Sequence, residues 1–150
     1  MTEDRLKVFI NGVINYFQTS SKYEIKVGAP FLAENRSPQH FDYAGIIGIS
    51  GPYKGTVYFT APKIFLTHLL LSLGEKDTSD ENVRDLVGEV ANTVSGNARA
   101  EFGQDFMISV PVIIEGAPSK IHLPENLRSY VIPIYWKSYN AAVVVCIESS

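Results

Sequence analysis

The sequence predicts an α+β fold in which helices pack on an antiparallel sheet. Apolar residues recur at helical spacing in three segments, and at alternating positions or as continuous runs in six others. These segments follow the order α-β-β-β-α-α-β-β-β, and two pairs of strands are joined by hairpin-type connections. Because the chain has 150 residues and no long linker, we expect one domain over residues 1–150.

The first half of the chain predicts a helix followed by three strands. Asp4 to Gln18 has apolar residues at helical spacing, and Tyr23 to Ala33 alternates between apolar and polar residues as a half-buried strand does. Two apolar runs, Phe41 to Ser50 and Gly55 to Ala61, follow as strands. The Gly- and Pro-containing segment between them is typical of a hairpin turn.

Two helices are predicted next. Pro62 suits the first turn of a helix that ends near Leu73. A longer helix runs from about Asp80 to Phe102, and Gly103 ends it. Its start is marked by Thr78 to Glu81, which has the spacing of a capping box.

Three strands complete the predicted fold. Phe106 to Glu115 is expected to form one strand, and Ser129 to Trp136 pairs with Ala141 to Glu148 in a closing hairpin. The last strand is apolar on both faces and is therefore expected at the centre of the sheet. Pro111 and Pro133 fall within strand patterns and indicate edges or bulges. The residues expected on one face of the first of these strands are Phe106, Ile108, Val110, Val112 and Ile114.

Charge and composition exclude several classes of function. With 13 basic and 16 acidic residues the formal net charge is -3, and no clustered basic face suited to nucleic acid is present. Glu3 and Asp4 lie where a signal peptide would carry positive charge, and the apolar run Ile64 to Leu73 falls far short of the ~20 residues that span a bilayer. One cysteine and three scattered histidines predict no metal site. We therefore expect a cytoplasmic protein that binds neither nucleic acid nor a membrane.

The helix from Asp80 to Phe102 carries the candidate site. At about 100° per residue, Asp85, Glu89, Asn92 and Gly96 fall within about 60° of one another, opposite a row of valines. Such a spacing is common on solvated helix faces, but this face is short and smooth. Gly88 and Gly96 each cost ~1 kcal/mol relative to alanine in a helix, which indicates close approach of another backbone.

The pattern Asp85-x-x-x-Glu89-x-x-Asn92, followed by Ser95-Gly96-Asn97-Ala98, resembles the signature of the CheC/CheX/FliY phosphatases of bacterial chemotaxis. The element order is similar to the CheX-like fold over nearly the whole chain, and Val110 to Gly116 is similar to the strand after the motif helix. The first helix has Val8 where a second signature would have Glu, so the chain resembles the CheX type, which has one signature.

This resemblance implies that the substrate is a phosphorylated response regulator similar to CheY, and that the protein is a homodimer. Mg²⁺ and a lysine would be supplied by the regulator, so no cofactor of its own is expected. Asn92 would orient the attacking water, and Glu89 would pair with the regulator's lysine. Asp85, Gly88 and Gly96 would contribute to docking.

Two other functions remain open from the sequence. One is a non-catalytic binding domain, as in the related middle domains of flagellar-switch proteins, and the interval from Asn92 to Pro111, shorter than in the family pattern, favours it. The other is a small-molecule hydrolase with Glu89 as base, for which no nucleophile or metal partner is evident. Retention of both Glu89 and Asn92 favours the phosphatase.

Overall fold

The computed structural model describes residues 3–20, 25–116 and 121–150, and the side chain of Ser20 is not among its described parts. Within these ranges three helices lie with an eight-stranded sheet, and none of the helices is long and apolar enough to cross a membrane. In chain order the elements are α1 (Glu3–Ser20), β1 (Ile25–Val27), β2 (Phe31–Glu34), β3 (Tyr43–Ser50), β4 (Tyr53–Ala61), α2 (Lys63–Ser72), α3 (Asp80–Phe102), β5 (Met107–Ile108), β6 (Val112–Glu115), β7 (Arg128–Trp136) and β8 (Tyr139–Ser149).

The sheet is antiparallel throughout the described pairings, so the predicted α+β class is confirmed. The strand order is β1-β7-β8-β4-β3-β5, with β2 also on β7 and β6 also on β3. Strand β8 is central, as predicted, and residues 141–147 are buried on both faces. The two edges of the sheet are therefore β1 with β2 and β5 with β6.

Each edge is interrupted, and here the predicted strands are wrong. The predicted strand from Tyr23 to Ala33 consists of β1 and β2, and its first residues, Tyr23 and Glu24, lie outside the described residues. The predicted strand from Phe106 to Glu115 is likewise divided into β5 and β6. A proline closes each interruption, because it has no N–H with which to continue the ladder.

The interruption before β6 also overturns the predicted face of that strand. Phe106 is buried, but Val110 is 83% exposed and Val112 60% exposed. Residues Ser109 to Pro111 lie outside the ladder, so the alternation of faces does not continue across them. Pro111 thus marks a break at a sheet edge, as its sequence position indicated.

The helices cover one face of the sheet, and the segment from Ile121 to Leu127 covers part of the other. In β8, Val143 and Val145 face the helices, while Val144 and Cys146 face that segment. This alternation explains why β8 reads as apolar at every position. The hydrophobic core between the helices and the sheet is the larger of the two, and packing in this core fixes the position of α3.

The two ends of α3 differ in how well the sequence predicts them. Gly103 is the C-cap, with φ of 105° and its N–H donated to Arg99 O at 2.9 Å, as expected. The predicted capping box at Thr78 to Glu81 is wrong, because the N-cap is Ser79 and its side chain makes no capping hydrogen bond. The Ser79 N–H instead donates to Asp77 Oδ1 at 2.9 Å.

Candidate functional site

Helix α3 is held by close backbone contact on its buried side. A Cβ atom at Gly45 of β3 would lie 2.9 Å from Val87 O and 3.2 Å from Ala91 Cβ. On the neighbouring helix α1, a Cβ atom at Gly12 would lie 3.2 Å from Val94 O. Both glycines therefore let other elements contact the α3 backbone, which turns the opposite face of the helix outward.

The predicted stripe lies on this outward face. Asp85, Glu89 and Asn92 are exposed, and a Cβ atom at Gly96 would have nothing within 4 Å. Across the part of the chain that the structure describes, Glu89 and Asn92 have no hydrogen-bond or ion-pair partner. The carboxylate and the carboxamide are thus available to another molecule.

Gly88 has a neighbour within its own chain. It is buried, and a Cβ atom there would lie 3.2 Å from Ile113 Cδ1 and 3.8 Å from Pro111 Cβ. The small residue lets β6 and the proline before it approach α3 closely. The role of Gly88 in docking a partner stays a prediction.

A groove runs along the exposed stripe. It has a volume of about 590 Å³, with α3 on one side and the segment from Ile108 to Ile113 on the other. Asn92 and Pro111 both line it, so the short interval between them leaves the two residues at one site. A second hollow of about 320 Å³, bordered by Leu70 and Leu73, lies against Asp85 and Glu89. Because both hollows include Asp85 and Glu89, these two acids form a ridge between them.

Arg84 is a basic residue of the groove, and β6 engages it. Its guanidinium lies 3.6 Å from Glu115 Oε2 and donates to Ile113 O at 3.4 Å. This arrangement ties α3 to the edge of the sheet. It also directs the cation toward β6, so the carboxylates of Asp85 and Glu89 remain as acidic groups of the groove.

A second polar cluster holds the start of α3. The Tyr43 hydroxyl lies 3.1 Å from Asp80 Oδ1 and 3.3 Å from Glu115 Oε1, and Lys63 Nζ lies 3.0 Å from Asp80 Oδ1. Burial and the hydrogen bond with Asp80 raise the pKa of Tyr43 to about 12, so its hydroxyl remains a hydrogen-bond donor well into the alkaline range. Hydrogen bonds from Lys63 and Tyr43 lower the pKa of Asp80. The cluster connects α2, α3, β3 and β6.

Residues 3–20, 25–116 and 121–150 contain no group of three or more His, Cys, Asp or Glu side chains that could hold a metal ion. The groove itself offers the carboxylates of Asp85 and Glu89, one turn apart on a single helix.

Sequence reasoning missed the opposite wall of the groove. Val110 was expected within a strand, whereas it projects beside α3, and nothing local to Arg84 indicated its pairing with Glu115. Pro111 was the available signal, since a proline within a strand pattern indicates a break. It did not show where the broken segment would lie.

Gly45→Ala is expected to destabilise the protein by ~1–3 kcal/mol, because the new methyl group would press on the α3 backbone. Urea unfolding followed by circular dichroism measures this change. Gly96→Ala is the matched control, since it adds a methyl group to open space and should stabilise α3 by up to ~1 kcal/mol. Equal stability of the two variants would contradict the close contact at Gly45.

Comparison with known proteins supports the resemblance. The model of the family described as chemotaxis phosphatase CheX matches residues 43–135. No curated protein sequence matches the chain.

Solved structures match over nearly the full length. A CheC-like superfamily protein from Shewanella sp. PV-4 is 28% identical, covers 99% of this chain and 100% of its own, and superposes with a TM-score of 0.86. The chemotaxis protein CheX from Vibrio vulnificus is 26% identical over 97% of this chain and 99% of its own, with a TM-score of 0.82. At 19% identity, CheX from Borrelia burgdorferi, in complex with CheY, BeF3 and Mg²⁺, shares the fold over 99% of this chain and 100% of its own, with a TM-score of 0.80.

Proposed function

The chain belongs to the CheX family of chemotaxis phosphatases, and from this we propose that it accelerates hydrolysis of the aspartyl phosphate on a CheY-like response regulator. The supporting observation is the exposed, unpartnered pair of Glu89 and Asn92 beside a groove of about 590 Å³. The direct test is the rate of phosphate loss from a phosphorylated regulator, with and without the protein. Tight binding without acceleration would instead identify a scaffold.

Asn92 has the chemistry to orient the attacking water. Phosphoryl transfer requires little covalent work from the protein, so in-line placement of the nucleophile is the main contribution available. A carboxamide accepts a hydrogen bond and donates one at the same time, which fixes the orientation of a water molecule. It also carries no charge to repel the anionic phosphoryl group, whereas a carboxylate would.

Glu89 is proposed to pair with the lysine of the regulator. It lies one turn from Asn92 on the same face of α3, so an ion pair there would set the register of Asn92 against the phosphoryl group. Arg84 is engaged by Glu115, and no cation among the described residues neutralises Glu89. Asp85 and Gly96 border the pair and would contribute to docking, as would Gly88 through its support of the groove wall.

Mg²⁺ is proposed to belong to the regulator, where it would offset charge on the phosphoryl oxygens. In support of this, the Borrelia burgdorferi relative was crystallised in complex with CheY, BeF3 and Mg²⁺. The chain's own contribution would then be docking and placement of water. Chelation of Mg²⁺ should stop hydrolysis without unfolding the protein.

Glu89→Gln is expected to weaken binding to the phosphorylated regulator about tenfold and to lower the hydrolysis rate, because the ion pair is lost. Titration of the rate against regulator concentration measures both effects. Asp85→Asn removes a charge from the same ridge and is the control, expected to have the smaller effect. If the two variants were equally affected, the total negative charge of the ridge, and not the position of Glu89, would explain docking.

The remaining expectations from the resemblance are also proposals. We propose a single phosphatase domain over residues 1–150, located in the cytoplasm and present as a homodimer. The edge at β2 leaves Phe31 and Leu32 nearly half exposed, which suits contact between two copies. Light scattering on the purified protein measures the mass, and a monomer at micromolar concentration would contradict the dimer.

A further inference from the structure

Val110 is the most exposed large hydrophobic residue among the described parts of the chain, at 83%. It lies in the interruption between β5 and β6, a segment named here the edge bulge and defined as Ser109 to Pro111. A valine with this exposure contributes little to the stability of the folded monomer, because burial of apolar surface is what stabilises. Its exposure is informative only if the position is specifically held.

The edge bulge is held by three hydrogen bonds and a proline. The Gly48 N–H donates to Ser109 Oγ at 2.8 Å, and the Ser109 N–H donates to Gly48 O at 2.9 Å. The Ser109 hydroxyl in turn donates to Val110 O at 3.1 Å. Pro111 fixes the next φ angle and packs toward Gly88. Val110 is therefore projected from an ordered support.

The projected side chain belongs to the candidate site. Val110 lines the same groove as Glu89 and Asn92, on the opposite wall. A partner that contacts the acid and the amide would therefore meet the valine as well. Apolar groups beside a small set of polar groups are typical of binding sites, in which the polar groups give orientation and the apolar groups give affinity.

The other edge of the sheet has a similar interruption, with which the edge bulge can be compared. There the interruption between β1 and β2 is Gly28 to Pro30, and the Gly28 N–H donates to Pro133 O at 2.9 Å, as Ser109 does to Gly48. The central residue at that edge is Ala29, where the edge bulge has Val110. The helix of that half has Val8 in the position of Glu89. The projecting valine and the acid thus occur in the same half of the fold.

We propose that Val110 is a docking residue that makes an apolar contact with the phosphorylated response regulator when Glu89 and Asn92 engage it. The inference rests on the proposed function and adds to it a contact that sets affinity. Glu89 and Asn92 act on charged and polar groups of the partner, whereas Val110 contacts its apolar surface. Two walls of one groove then hold the regulator.

The test is the dependence of the dephosphorylation rate on regulator concentration. Val110→Ser is expected to raise KM about tenfold with kcat unchanged, because the lost apolar contact affects bound substrate and transition state equally. Val110→Ile should retain KM within about twofold. Val112→Ser is the matched control, an exposed valine of the same edge that does not line the groove, and should also stay within about twofold.

The outcomes separate this inference from the proposed function. If the unsubstituted protein accelerates hydrolysis and Val110→Ser has the same KM, Val110 is not a docking residue and the phosphatase assignment stands. If the unsubstituted protein neither binds nor dephosphorylates the regulator, both proposals fail. If Val110→Ser alters the mass in light scattering and leaves KM unchanged, the valine contacts a second copy and the inference is wrong.

Discussion

Asn92→Ala is expected to lower the acceleration of regulator dephosphorylation about a hundred- to a thousandfold, while binding is retained. The expectation corresponds to ~2.7–4 kcal/mol, the usual cost of removing one preorganised polar group that acts in the transition state. Asn92 is exposed and makes no hydrogen bond with the described residues, so its loss should leave the fold intact. Phosphate release under single-turnover conditions measures the rate, and a binding titration measures the affinity.

Asn97→Ala is the matched control for this variant. Asn97 lies on the same helix, but its Nδ2 donates to Thr93 O at 3.0 Å and it does not line the groove. The rate of regulator dephosphorylation with the Asn97→Ala variant should stay within about twofold of the rate with the unsubstituted protein. If the Asn92→Ala variant dephosphorylated the regulator as fast as the unsubstituted protein, the carboxamide would not have the proposed role. Normal binding by a protein that never accelerates hydrolysis would favour the scaffold.

Phe65→Ala is expected to destabilise the protein by ~3–5 kcal/mol, the largest effect on stability among the variants proposed. Phe65 is fully buried at the centre of the helical layer. Its ring centroid lies 5.5 Å from that of Trp136, 6.0 Å from Phe17 and 6.3 Å from Phe59. Removal of the ring therefore leaves a cavity among large aromatic side chains that cannot easily close. Chemical denaturation with a constant m-value measures the loss.

Ile64→Ala serves as its control on the same turn of α2. Ile64 is 51% exposed, so the same change to alanine should cost well under half as much. Similar losses for the two variants would mean that α2 does not bury the face assigned to it. Activity should be affected by Phe65→Ala only through the fraction of folded protein.

Helix α3 shows what sequence patterns predict well. Its bounds, Asp80–Phe102, are close to those expected, since four valines recur at helical spacing over about three turns and Gly103 ends the helix with a positive φ. The central place of β8 was equally predictable, because only a strand covered on both faces has apolar residues throughout. Both features depend on local geometry and on burial, which appear in the sequence as a regular pattern of apolar residues.

The edges of the sheet show where the same reasoning failed. Residues 106–115 alternate as a single strand would, yet the ladder breaks at the edge bulge. The alternation of side chains between the two faces of the sheet therefore does not continue from β5 into β6. A strand pattern in the sequence shows that each residue suits a strand, but it does not show whether that residue can pair with the adjacent strand. The capping box at Thr78 also failed, because α3 begins one residue later than such a box requires, with Ser79 as its N-cap and no capping hydrogen bond from that side chain.

By itself, the sequence determined that Asp85, Glu89 and Asn92 share one face of a helix and that the valines take the other. That result follows from the helical repeat alone, which operates within a few residues of chain. Only the tertiary structure decided that Gly88 faces Pro111, that Arg84 is held by Glu115, and that a projecting valine forms the second wall of the groove. These contacts join residues about twenty to thirty positions apart, and no short-range pattern encodes them because they depend on how α3 and the sheet edge pack together.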